Sequence, residues 1–154
     1  MEALLPVIVL WLSANFDLPA TQQFPRIEFV PPLEIAYVRY GASTPRSRRE
    51  VAARLDVTSP ARLREVEAVY DDAQGMILLP AGWIGATPAE LSVLVHEMVH
   101  HLQRLQGAIH ECSAARERLA YAAQEKWLGL FGQTLENVFG IDAFTLKVST
   151  ECGF

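Results

Sequence analysis

Three of the four histidines in this 154-residue chain fall within six positions, in the stretch TPAELSVLVHEMVHHLQ from Thr87 to Gln103. On a helix, residues four apart share a face one turn from each other, so His96 and His100 project toward a common point. Two imidazoles placed in this way can reach one zinc ion at about 2.0–2.1 Å from each nitrogen. Glu97 follows the first histidine directly, rotated off the line of ligands yet near enough to contact a water on the ion. The pattern is H-E-x-x-H, which joins a metal-activated water to a carboxylate base. The competing reading is a pair of hydrogen-bonded core histidines beside a partly buried glutamate. Burying three polar groups on a central helix is costly without a strong partner, and a metal ion supplies one.

His101 lies about 100° around the helix from His100 and is not placed to share that ion; it caps or faces a groove. A catalytic site needs a third protein ligand and one open position. The longer pattern H-E-x-x-H-x-x-G-x-x-H would require glycine and histidine where this chain has Gln103 and Gln106, so that ligand set is excluded. The third ligand must come from elsewhere. Downstream, HECSAARERLAYAAQEKWL reads as a second helix on which Glu117, Tyr121, Gln124 and Leu128 recur along one face. A carboxylate, a phenol and an amide in one stripe, on a helix otherwise mostly alanine and leucine, differ from a simple packing face.

An H-E-x-x-H followed after a short turn by a helix with E-x-x-A-Y-x-x-Q resembles the gluzincins, thermolysin-like zinc peptidases that draw a third ligand from a glutamate on the next helix. The resemblance covers Ile27 to Leu128 loosely and Leu91 to Leu128 well, and the chain particularly resembles small bacterial gluzincin-like domains. It implies that His96, His100 and Glu117 hold zinc, with Glu97 as general base. His110 and Glu111 stand nearer the turn and are the rival third ligands. Tyr121 is either a catalytic group or, with Gln124, a support for the site. The resemblance also implies an edge strand just before the active-site helix that holds an extended peptide by strand addition, and MILLP followed by AGWIGA occupies that place. Trp83 and Ile84 would line a subsite there or pack against the start of the helix.

The helix that carries the histidines has clear ends. Thr87 can serve as N-cap, Pro88 fits the first helical position, and Glu90 stands three after the cap, completing a capping box. Leu91, Leu94, Val95, Met98, Val99, Leu102 and Leu105 keep helical spacing, and Gly107 is a natural terminator. So apolar a helix belongs at the centre of the fold. Upstream, MEALLPVIVLWL reads as a first helix with Leu4, Val7, Ile8, Trp11 and Leu12 as its apolar stripe. Ile27–Val30 reads as a strand, PPLEIAYVRYG as a short helix after Pro32 or, by an alternation nearly as good, a strand, and SRREVAARLD as a modest helix ending before the turn cluster VTSPA. Val66–Asp71 and Met76–Leu79 form a hairpin about the turn DAQG. The expected architecture is α+β: one minimal zincin-like domain spanning residues 1–154, its small, mostly antiparallel sheet packed on the active-site helix and on a second long, ligand-bearing helix.

Composition narrows the function further. Half the residues are apolar (51%), enough for a core, and the net charge of −5 gives no footprint for nucleic acid. PRSRRE at Pro45–Glu50 is one short basic run, read as a solvated helix start or loop. The opening segment has no positive n-region, carries the acidic Glu2, and SANFDLPA lacks a small-residue cleavage site, so it is not read as a signal peptide; it is also too short to span a bilayer. Cys112 and Cys152 either pair, implying an exported, oxidising location, or stand as two thiols. The expected function is zinc-dependent hydrolysis of a peptide or protein substrate, with a narrow substrate or a protein partner completing the cleft. The alternatives are a zinc-containing binding or regulatory module that does not turn over, and an immunity or regulatory partner in which only the fold matters.

Overall fold

The computed structural model describes residues 1, 3–55 and 67–154, and among them the chain forms seven helices and one three-stranded sheet, an α+β fold. The elements are α1 (Leu4–Phe16), β1 (Arg26–Val30), α2 (Pro32–Arg39), α3 (Pro45–Arg54), β2 (Val69–Asp71), β3 (Met76–Pro80), α4 (Pro88–Leu105), α5 (Ser113–Gly129), α6 (Leu135–Phe139) and α7 (Ala143–Thr150). The turn cluster VTSPA, Asp56 and the expected strand start at Val66 lie outside the described residues. Two compact units emerge, one made of Met1–Phe24 with Gly85–Phe154 and the other of Pro25–Ile84. No helix among the described residues is long and apolar enough to cross a membrane.

The Pro25–Ile84 unit contains the sheet, in the order β1-β3-β2. β2 and β3 form the expected hairpin, turning through Asp72–Gly75; the Asp71 carboxylate accepts from the amides of Ala73 (2.9 Å) and Gln74 (3.3 Å) and shapes the turn. The sheet is mixed rather than mostly antiparallel, because β1 pairs with β3 in parallel over five residues, Arg26–Met76 to Val30–Pro80, against three in the antiparallel ladder. The physical reason is the connection: after β1 and the helices α2 and α3 the chain runs through β2 opposite to β1, and the β2–β3 hairpin reverses it once more, so β3 lies parallel to β1. Ile35, Ala36, Met76 and Leu78 form the buried cluster of this unit, with Val30, Val38, Val51, Leu55 and Val69 around it.

β3 is therefore the central strand and not the free edge that strand addition would need; the edges are β1 and β2. Trp83 packs near Phe29, ring centroids 6.5 Å apart, while Ile84 is 76% exposed.

The other unit is helical. α4 begins as its sequence dictates: the Thr87 hydroxyl accepts from the Glu90 amide (3.1 Å) and the Glu90 carboxylate accepts from the Thr87 amide (3.2 Å). At the far end, Gly107 takes φ +63°, its amide bonds the Arg104 carbonyl and the Ala108 amide bonds the Gln103 carbonyl, the two bonds of a Schellman ending. Every residue from Ser92 to Gln103 is buried. α1 buries Leu5, Ile8, Val9 and Leu12, so its face is turned from the expected stripe and Val7 is exposed. A helix that is apolar nearly all round offers no periodicity from which a face can be chosen.

α5 packs on α4, and its Ala120 and Ala123 are fully buried. That packing lets Glu117 on one helix reach the imidazoles on the other. Trp127 of α5 meets Trp11 of α1 edge to face at 5.2 Å. The C-terminal segment is fastened to α5 twice: Arg118 donates to the Thr150 carbonyl (3.3 Å), and Cys112 is disulfide-bonded to Cys152.

Candidate metal centre

His96 and His100 stand one turn apart on α4, buried, with ring centroids 5.0 Å apart. Across from them, Glu117 stands on the second turn of α5. Its Oε2 lies 2.9 Å from His96 Nε2 and its Oε1 lies 3.3 Å from His100 Nε2. Among the described residues these three form the one group of histidine, cysteine and carboxylate side chains able to hold a metal ion, with all ligand atoms within 4.8 Å of one another. Glu111 is exposed, and neither it nor His110 joins the group.

The donor set fits zinc. Ligands about 2.0–2.1 Å from a tetrahedral ion are separated by roughly 3.3 Å; the Glu117 oxygens lie 2.9 and 3.3 Å from the two Nε2 atoms, and the ligand atoms all lie within 4.8 Å of one another. Two imidazole nitrogens and a carboxylate oxygen are the donors zinc takes in open, three-ligand sites. Electron pairs gathered this closely also demand a cation among them, a metal ion or protons.

The electrostatics say the same. Burial alone would push the Glu117 carboxyl up, but hydrogen bonds and positive charge from His100 and His96 outweigh it and hold the carboxyl well below the usual range. Burial pulls His100 down, yet the hydrogen bond with Glu117 and the negative charges of Glu97 and Glu117 win, so its basicity is raised. Glu97 is itself buried, and its charge is felt at His100.

The opposite nitrogen of each imidazole has an amide partner. His96 Nδ1 lies 3.0 Å from Gln124 Oε1, and His100 Nδ1 lies 3.1 Å from Gln103 Oε1. The Gln124 amide donates to Ser92 Oγ (3.3 Å), and that of Gln103 donates to the Arg116 carbonyl (3.2 Å). Tyr121 lies edge-on to the His96 ring at 4.7 Å. His101 takes no part: its Nε2 donates to the Gln23 carbonyl (2.7 Å), tying the segment after α1 to α4, and burial lowers its basicity.

Gln103 and Ser92 were not foreseen as site residues. Their positions could have pointed to them, since Ser92, His96, His100 and Gln103 fall at helical intervals along one stripe of α4.

An α+β chain with a buried two-histidine, one-glutamate cluster on adjacent helices is the class that fold and site define. The chain belongs to the family described as Domain of unknown function (DUF6647), whose family model matches residues 1–153. No curated protein and no solved structure matches it.

Proposed function

We propose that this chain is a zinc-dependent hydrolase acting on peptide bonds, with His96, His100 and Glu117 as ligands and Glu97 as general base. The observation that carries the reading is the meeting of two histidine Nε2 atoms and one carboxylate within 4.8 Å. When bound, zinc would supply Lewis acidity, lowering the pKa of a water toward about 7 and polarising a carbonyl. Glu97 stands beside His96 on the same buried turn. It takes the proton from the attacking water as the oxygen bonds to the carbonyl carbon, and returns it to the leaving nitrogen as the C–N bond breaks. A site that only bound zinc would have no use for a buried carboxylate there. Tyr121 restrains the His96 ring by its edge contact.

The substrate class is a peptide or protein chain. The Cys112–Cys152 disulfide favours an oxidising location, periplasmic or secreted. Metal analysis tests the reading: purified protein holds about one zinc per chain, and His96→Ala or His100→Ala removes it. A fully folded protein that takes up no zinc would end it.

A further inference from the structure

We propose that Gln103 and Gln124 are the positioning residues of the metal centre, each fixing the tautomer of one histidine so that Nε2 presents its lone pair to the ion. The inference rests on the metal reading above and goes beyond it, because it assigns the residues that aim the ligands.

The argument follows hydrogen atoms along two chains. Ser92 Oγ donates its one hydrogen to the Ala89 carbonyl (2.7 Å), so toward Gln124 it can only accept. The Gln124 NH2 must then face Ser92 and its Oε1 must face His96. An amide oxygen only accepts, so the hydrogen between Gln124 and His96 sits on Nδ1. The second chain ends in the same way. The Arg116 carbonyl accepts from Gln103 Nε2, which turns the Gln103 oxygen to His100 and places the hydrogen on that Nδ1 also. Both chains end on backbone carbonyls, which have no hydrogen to give, and each therefore runs in one direction from end to end. Neutral imidazoles so held have unprotonated Nε2 atoms, and these are the atoms beside Glu117.

Geometry adds a second role. Gln124 reaches from α5 to His96 on α4, and Gln103 reaches from α4 to the backbone of Arg116 on α5, the residue next to Glu117. The same bonds that set the tautomers thus tie together the helices whose spacing sets the ligand distances. Both partners are neutral amides, so they add no charge to that which Glu117 and Glu97 bring to bear on His100.

The two glutamines respond differently to a carboxylate. At Gln124, a glutamate still accepts from His96 Nδ1, and the Ser92 hydroxyl can turn to donate to its other oxygen. At Gln103, the second oxygen would face the Arg116 carbonyl, acceptor against acceptor.

The test is a zinc titration of the metal-free full chain in competition with a chromophoric chelator, with thermal melting to check each variant's fold. Gln103→Leu and Gln124→Leu should each weaken zinc roughly 10–100-fold, the scale for losing such a partner. Gln124→Glu should bind at least as tightly as the wild type, and Gln103→Glu should lose affinity as its leucine variant does. Should the leucine variants fail to fold, the opposite responses of the two glutamate variants decide the matter. Leucine variants that bind zinc like a wild type that does bind it, or glutamate variants that behave alike, would overturn the proposal and leave the metal reading standing. A wild type that binds no zinc would remove the centre itself, and the proposal with it.

Discussion

His96 Nε2 lies 2.9 Å from Glu117 Oε2 although 21 residues and a helix boundary separate them in sequence. The contact exists because α4 and α5 pack against each other, and it puts the carboxylate on both ligand nitrogens of α4 at once. Glu117→Ala should therefore cut zinc affinity sharply, while Glu111→Ala, an exposed position outside the cluster, should leave it within a few-fold. Calorimetric zinc titration of both variants checks this, and the reverse order would move the ligand to the turn.

The metal-free protein should have an unusual pH dependence. Glu117 has a depressed pKa, so its stabilisation is present above the ordinary value of 4.5 and is lost as pH falls through the lower folded value. His100 has a raised pKa, so its contribution is complete below 6.5 and is lost as pH rises through the higher folded value. Melting temperature without metal should be highest between those two values and fall on the alkaline side. With zinc the alkaline flank should reverse, since protons no longer compete for Nε2. Apo melting temperatures that climb steadily from pH 6 to 8.5 would contradict the assignment.

The disulfide joins residues 40 apart and sits at the N-cap of the helix that carries Glu117. Cys152→Ser should lower stability by roughly 3–4 kcal/mol on the loop-entropy account. Denaturant unfolding with and without reductant measures it. Two free thiols, seen by mass spectrometry in protein made under oxidising conditions, would withdraw both this effect and the argument for export.

Legibility in the sequence followed the range of the interaction. α4 could be read to its last turn because Thr87, Pro88, Glu90 and Gly107 act locally, and H-E-x-x-H needs only helical periodicity to align its ligands. Glu117 could be named only through a resemblance, since nothing local in RERLAYAAQ says which neighbour it faces. The pairing of β1 with β3 was hidden for the same reason: it joins residues 50 apart, Arg26 with Met76, across two helices and the intervening strand β2. α6 and α7 are five and eight residues long, too short for an apolar period to stand out, although Thr134 and Asp142 cap them. Gln103 was visible as a residue but not as a partner, because its role depends on the Arg116 carbonyl of another helix.

Glu97 decides the central claim. It is buried on the turn that bears both histidines, and Glu97→Gln keeps its shape while removing the base. Zinc content and peptide hydrolysis, measured together on wild type and variant with a peptide library, give the answer. The account predicts that the variant keeps about one zinc per chain while hydrolysis falls by roughly 10²–10⁴, the usual scale for losing general-base catalysis. A variant that retains zinc and cleaves peptides as fast as the wild type would contradict it, as would a zinc-loaded wild type that cleaves none.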